Sequence, residues 1–240
     1  MLRHELAFYI GGLNLYEQLQ PIHMPTCFPD PLQPLEWQRC SRGLYDVSLA
    51  LQIKVQVVGN DLLADQQKLY IITGANQGGK TTFLRSVGQA QLMMQCGMFV
   101  PAEAYRSHIC TGVYTHFQKE EDVQMQSGKL DEELTRMSWI VGHLHAGALV
   151  LLNESFAATN EREGSEIGRQ IVSALIQHAI EVFYVTHLYD FANYFNEKHL
   201  PEVTFLSAER LQDGKRTFRI IPGELLKTGF GEDLYHKIFG

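Results

Sequence analysis

Cysteine is scarce. The 240 residues hold four, Cys27, Cys40, Cys96 and Cys110, and no Cys-x-x-Cys pair. They read as reduced, scattered thiols of a cytosolic protein. Positive charge is also short: 20 Lys+Arg stand against 27 Asp+Glu, for a net charge of −7. No basic domain is present, so this chain alone is a poor candidate for tight duplex DNA binding. Long apolar runs are missing. Ala148–Leu152 is among the longest and is far too short to span a bilayer. Charges at Arg3, His4 and Glu5 and the absence of a signal-type apolar region argue against secretion. The expected location is therefore cytoplasmic. There is no internal repeat and no low-complexity tract. Hydrophobic residues at 45% and charged residues at 20% are globular values, enough to build a core without staples.

Five of the eight prolines crowd into Pro21–Pro34, which predicts a linker or extended arm. Before it, Leu2–Leu19 is helix-compatible with no visible partner in the chain. After it, the alternation Leu51, Ile53, Val55, Val57 predicts a strand within Tyr45–Val58. From Lys68 the pattern becomes strands alternating with helices. Strand runs are Leu69–Ile72, Ala148–Leu152 and Val182–Thr186. Helices are predicted over Thr81–Gln95, Leu130–His145 and Ser165–Ala179. That alternation implies parallel β-α-β units. In the tail, Val203–Ser207 and Thr217–Ile221 flank Asp213-Gly214, an antiparallel hairpin signal.

Gly74-Ala75-Asn76-Gln77-Gly78-Gly79-Lys80-Thr81 fits G-x-x-x-x-G-K-[ST] at every fixed position, after a strand and before a helix. Glycines let backbone N–H groups converge on one phosphate, and the helix N-terminus adds its positive end. In such loops the lysine reaches the β- and γ-phosphates and the hydroxyl serves Mg²⁺. Those roles fall to Lys80 and Thr81. Leu149–Leu152 delivers Asn153 and Glu154 at a strand C-terminus, where open α/β sheets bind ligands. Asn153 in such a place holds a metal and Glu154 polarises a water, or both simply cap the strand. His187 ends the third strand run as a donor to a γ-phosphate or as a structural hydrogen-bonder. The ten histidines lack metal-ligand spacing, so no zinc site is expected; His143 and His145, two apart, do not share a helix face. Glu120-Glu121-Asp122 reads as a solvated loop, and Trp37 and Trp139 as core or interface residues.

These residues resemble one family, the ATPase domain of MutS-type DNA mismatch repair proteins, within the ABC ATPase superfamily. Thr73–Thr82 carries the family's Asn-x-Gly-Gly-Lys loop, and Gly97–Ala102 its following segment. Ser127–Leu134 looks like the signature segment, Leu149–Gly164 the Walker B strand and D-loop, and Thr186-His187 the histidine switch. Lys227–Gly231 looks like the motif before the C-terminal helices. The resemblance runs from about residue 45 to 235.

It implies an α/β fold: a P-loop ABC-type ATPase with a mostly parallel central sheet flanked by helices, plus an antiparallel portion. It divides the chain into the end of a lever helix with a proline-rich linker (1–40), the ATPase domain (41–228) and the start of a truncated dimerising element (229–240). It implies ATP and Mg²⁺ as ligands and Mg-dependent hydrolysis. Gly74, Ala75, Asn76, Gln77, Gly78, Gly79, Lys80, Thr81 and Thr82 cradle the phosphates. Thr81 and Asn153 hold the metal; Glu154, His187 and Lys80 are catalytic. Val57, Val58 and Asn60 fall at the adenine-contacting loop, and Ser127 faces the γ-phosphate of a partner subunit. Two subunits would pair as a homodimer through composite ATP sites, with DNA held by upstream domains absent from this chain and no membrane contact. The chain departs from the pattern at Asn153, where the family has aspartate, and at Val57 and Val58, where an aromatic packs on adenine. Other readings are a nucleotide-gated, weakly hydrolysing scaffold module and an ABC ATPase of another chromosome-maintenance class. Ser127-Gly128-Lys129 is not the Leu-Ser-Gly-Gly-Gln of transporters.

Overall fold

The computed structural model describes residues 2–118, 128–211, 214–223 and 225. Helix α1 (Leu2–Leu19) leads through a 3-10 turn into strands β1 (Asp30–Leu32) and β2 (Gln38–Leu44). Helix α2 (Val47–Ile53) and strand β3 (Asn60–Asp65) follow. Next come β4 (Leu69–Thr73), helix α3 (Lys80–Gln95), β5 (Ala104–His108) and β6 (Val113–Phe117). The second half runs α4 (Lys129–Val141), β7 (Leu149–Asn153), α5 (Glu161–Gln177), β8 (Glu181–Val185) and α6 (Tyr189–Lys198), and closes on β9 (Val203–Arg210) and β10 (Arg216–Pro222).

The larger sheet has the order β10-β9-β4-β8-β7-β6. All its pairings are parallel except β9 with β10, so the parallel units and the antiparallel tail hairpin expected from the sequence are both present. The smaller sheet is mixed, in the order β1-β5-β2-β3. The fold is thus mixed α/β with two sheets and, among the described residues, six helices.

The apolar runs have a direct cause. Successive strand side chains point to opposite faces. Tyr70 and Ile72 enter one core with Phe83, Leu84 and Val87 of α3 and with Leu44, Leu62 and Tyr105 of the smaller sheet. Leu69 and Ile71 enter the other core, with Met137 and Ile140 of α4, Val172 and Leu175 of α5 and Phe191 of α6. β7 and β8 split in the same way. A strand covered on both faces is apolar along most of its length, and each buried Leu, Ile or Val contributes roughly 1.5–3 kcal/mol.

Several expectations are corrected. Leu51 and Ile53 belong to helix α2, not a strand; the Asp46 carboxylate caps it by accepting from Leu49 N at 3.1 Å, and Lys54 ends it in the left-handed region. The strands on either side, β2 and β3, carry no continuous apolar run. The proline-rich segment supplies β1, which pairs in parallel with β5. Helix α4 ends at Val141, so His143 and His145 lie beyond it. The last turn of α1 does have a partner in the chain: Leu15 and Leu19 pack with Met24, Tyr45, Val47 and Ala50. Trp37 is buried, whereas Trp139 is 60% exposed. All four cysteines are free. Ser127, the acidic run 120–122, Lys227–Gly231 and residues 229–240 lie outside the described residues.

Candidate functional site

Strand β4 is buried along its whole length and ends in the glycine-rich loop, which turns directly into α3. A Cβ on Gly78 would sit 2.7 Å from the Ala208 Cβ and 2.9 Å from the Ala75 carbonyl oxygen. Gly79 has φ +92° and caps α3 without any side-chain hydrogen bond. The first N–H groups of α3 therefore have no side-chain acceptor at the cap, the arrangement that favours an anion.

Lys80 opens α3 and is only 5% exposed. Its Nζ donates to the carbonyl oxygens of Gly74 at 2.7 Å and Ala75 at 3.1 Å, and lies 3.5 Å from His187 Nε2. Burial pulls its pKa below the ordinary lysine value, and the Glu154 carboxylate acts against that pull. Next along the helix, Thr81 Oγ1 donates to Asn153 Oδ1 at 2.8 Å. Glu154 Oε1 lies 3.1 Å from His187 Nε2. The parallel sheet makes these meetings: Glu154 N donates to the Val185 carbonyl at 2.9 Å, which sets the end of β7 beside the end of β8. Leu188 N donates to Thr186 Oγ1 at 3.1 Å and fixes the turn that carries His187.

These groups open into a cleft of about 560 Å³, within the range of small-ligand pockets. Asn76 to Thr82 and Glu154 form its polar end. Leu49, Ile53, Val57 and Val58 form its apolar wall, with Gln56, Asn60 and Phe218. Sequence-predicted residues from three distant segments thus share one cavity, and His187 and Asn153 reach it through Lys80, Glu154 and Thr81. Asn60 is committed elsewhere: its Oδ1 accepts from Ile220 N at 2.6 Å and pins β3 to β10. Gln77 Oε1 accepts from Arg216 at 2.8 Å.

The sequence reading missed Phe218, the aromatic side chain of this cleft. It is half-exposed, has φ +60° and lies over the loop, its carbonyl oxygen 3.2 Å from where a Gly79 Cβ would be. Its only signal was its place in the tail hairpin. It also missed Asp46, a buried carboxylate at the cleft wall that accepts from Arg85 at 2.8 Å. One cluster of metal-ligand types exists among the described residues: His108, Cys110 and Glu181, with ligand atoms within 4.8 Å of one another. The buried Arg39 guanidinium takes both Glu181 oxygens, at 3.0 and 2.7 Å, so that carboxylate is already neutralised. Burial pushes the Cys110 thiol up to about 12, which opposes the thiolate that metals need. Among the described residues, no helix is long and apolar enough to cross a membrane.

Comparison with known proteins gives the lineage. The family model MutS domain V matches residues 70–231. The chain is 31% identical over 170 residues to the DNA mismatch repair protein MutS of Thermotoga sp. strain RQ2, covering 69% of this chain and 21% of that protein. It is 30% identical over 192 residues to the Endonuclease MutS2 of Halothermothrix orenii, 76% of this chain and 24% of that one. It is 25% identical over 146 residues to MutS protein homolog 4 of Mus musculus, 61% of this chain and 15% of that protein. The chain thus spans a quarter or less of the length of these curated relatives. It belongs to the MutS domain V family.

Proposed function

We propose that this chain binds ATP with Mg²⁺ and hydrolyses it, as the P-loop ATPase domain of a MutS-type DNA repair protein. The observation that carries the reading is the meeting, in one cleft, of a buried lysine at an uncapped helix N-terminus with the Thr81–Asn153 and His187–Glu154 pairs. The residues fit a nucleoside triphosphate. The crowding at Gly78 leaves no room for a side chain where backbone must approach a phosphate. Lys80 spends its donors on loop carbonyls that an anion can replace. Leu49, Val57, Val58 and Phe218 offer a base an apolar slot.

In this reading the loop N–H groups and Lys80 hold the β- and γ-phosphates. Thr81 and Asn153 present two oxygens to Mg²⁺, a hard cation that prefers oxygen donors. Bound there, the ion would neutralise developing phosphate charge. Both donors are neutral, so the ion is held less tightly than by a carboxylate. Glu154 orients the attacking water and takes its proton, and His187, whose Nε2 lies between Glu154 and Lys80, donates its one N–H there to that carboxylate or, once nucleotide is bound, to the γ-phosphate. The relatives' names support a role in DNA repair. In a net −7 chain, DNA contact falls to parts of such a protein outside this sequence, in the cytoplasm. Two copies would pair through composite sites, Ser127 of one facing the nucleotide of the other.

One observation favours a second reading. The neutral Asn153 suits a nucleotide-gated scaffold module that binds ATP and turns it over slowly. Single-turnover hydrolysis against ATP affinity separates the two. With Glu154→Gln, hydrolysis falls by roughly two orders of magnitude while ATP affinity holds, and light scattering of that variant with saturating ATP shows a dimer. Equal single-turnover rates in the two proteins would overturn the role of Glu154. A mass that stays monomeric would overturn the composite site.

A further inference from the structure

Glu154 stands in a turn that its own backbone does not favour. It has φ +52° and Phe156 has φ +64°, both in the left-handed region that a Cβ makes costly. Such a turn persists only where its surroundings over-determine it. Part of the surroundings comes from β8, where Glu154 N donates to the Val185 carbonyl and Tyr184 Oη to the Ser155 carbonyl, and the rest comes from helix α4.

Glu133 of α4 is 5% exposed, and its Oε2 accepts from the Phe156 backbone N–H at 2.8 Å. The Glu133 carbonyl oxygen lies 3.1 Å from Nε2 of the buried His116 on β6. The other ring nitrogen, Nδ1, lies 2.7 Å from Ser155 Oγ. Burial first, then Arg136, pushes His116 down to about 4, so the ring is neutral at physiological pH. With its proton on Nε2, the neutral ring donates to the Glu133 carbonyl, and the one Ser155 hydroxyl proton is shared between Nδ1 and the His116 carbonyl oxygen, 2.9 Å from Oγ. Arg136, one turn further along α4, donates to the Phe117 carbonyl at 2.8 Å. Phe117 pairs with Asn153 across β6 and β7. The two residues after Glu154 are thus both tied to one residue of α4, directly or through one imidazole.

We infer that Glu133 is a positioning residue for Glu154: through the Phe156 N–H and the His116–Ser155 link, α4 holds the Glu154 turn in its left-handed conformation and sets where the carboxylate points. The inference rests on the ATPase reading for its consequence and on the hydrogen bonds alone for its geometry. It makes the angle of α4 a control on hydrolysis that leaves the nucleotide cradle untouched, since neither Glu133 nor His116 lines the cleft.

The test uses Glu133→Met, which keeps the length but offers no acceptor, and Glu133→Gln, whose amide oxygen still accepts from Phe156. Glu133→Met should slow single-turnover ATP hydrolysis about tenfold or more, as misplacing a reacting group does. The ATP dissociation constant should change by less than about threefold, because the cradle is intact. Glu133→Gln should recover most of the rate. In a Glu154→Gln background, Glu133→Met should cost no further rate, because the two act as one unit. Amide exchange over residues 153–158 should quicken in Glu133→Met and not in Glu133→Gln. Unchanged exchange there would overturn the clamp whatever the activity. Wild-type hydrolysis in Glu133→Met, or an equal deficit in the Met and Gln variants, would overturn its role in positioning. If the wild-type chain does not hydrolyse ATP, the ATPase reading falls on that result alone, and exchange still decides the clamp.

Discussion

Two buried cations sit at opposite ends of strand β8, and they are handled differently. Arg39, between the sheets, meets both oxygens of Glu181 and also donates to Gln91 and Tyr105. Burial acts to lower its pKa, Glu181 together with Tyr105 and Cys110 acts to raise it, and the net direction is upward. Lys80 is nearly as buried, yet no carboxylate lies within ion-pair distance of it among the described residues. It donates to two loop carbonyls and lies beside His187, and its pKa is pulled down. A saturated ion pair holds structure; a cation held only by replaceable carbonyls at a cleft mouth is available to a ligand. Position follows chemistry. The Arg39–Glu181 pair stands at the N-terminal start of β8, and the Lys80 group at the C-terminal ends of the parallel strands, where such sheets bind ligands.

The largest expected effect breaks the saturated side. Arg39→Ala leaves Glu181 buried with only the His108 imidazole, 3.6 Å away, in place of the guanidinium, and breaking such a pair costs about 3–5 kcal/mol. In a domain of this size that is a fall in Tm of roughly 6–20 °C, read by calorimetry. A change below a few degrees would show that the pair is not structural. Lys80→Ala, by contrast, should leave Tm close to wild type.

Acid sharpens the comparison next. His116, which braces the turn after β7, has a folded pKa of about 4 against the ordinary 6.5. The unfolded chain therefore binds its proton first. Stability from this group is complete above pH 6.5 and is lost as pH falls toward 4, by about 3 kcal/mol at most. His108, beside Arg39, is lowered in the same direction by burial, so it adds to the slope. Tm measured from pH 7 to 4 should fall steeply in the wild type and less steeply in His116→Gln. Identical slopes would remove His116 from the account.

Legibility in the sequence followed burial. β4, β7 and β8 are covered on both faces and read as unbroken apolar runs, so the C-terminal strand ends that carry Gly74, Asn153, Glu154 and His187 were predicted in place. The glycine-rich loop was legible because its spacing is a chemical requirement. The smaller sheet was not. β2 reads Gln-Arg-Cys-Ser-Arg-Gly-Leu, and its buried Arg39 is polar because it pairs with Glu181 and donates to Gln91 and Tyr105. The alternation at Leu51–Val57 misled because α2 is only seven residues long, and the Asp46 cap that starts it lies outside the apolar pattern. Phe218 escaped because its place in the cleft depends on β10 folding back beside the loop, a contact between residues far apart in sequence.

A smaller effect probes the neutral metal pair. Asn153→Asp puts a carboxylate where the Thr81 hydroxyl donates, and a charged acceptor strengthens such contacts by about 1 kcal/mol. Mg²⁺ dependence of ATP binding should shift toward lower concentration by roughly fivefold. An unchanged or weakened dependence would mean that Asn153 does not face the ion.

The most direct test is the ATP-induced thermal shift of the wild type beside Lys80→Ala. A ligand at a hundred times its dissociation constant stabilises by about 2.7 kcal/mol, which is a rise in Tm of roughly 5–11 °C here. The account predicts that rise in the wild type with Mg-ATP and its near disappearance in Lys80→Ala, while Tm without ATP stays matched. Equal ATP-induced shifts in the two proteins would contradict it, for then the buried lysine of the glycine-rich loop would not be the nucleotide's anchor.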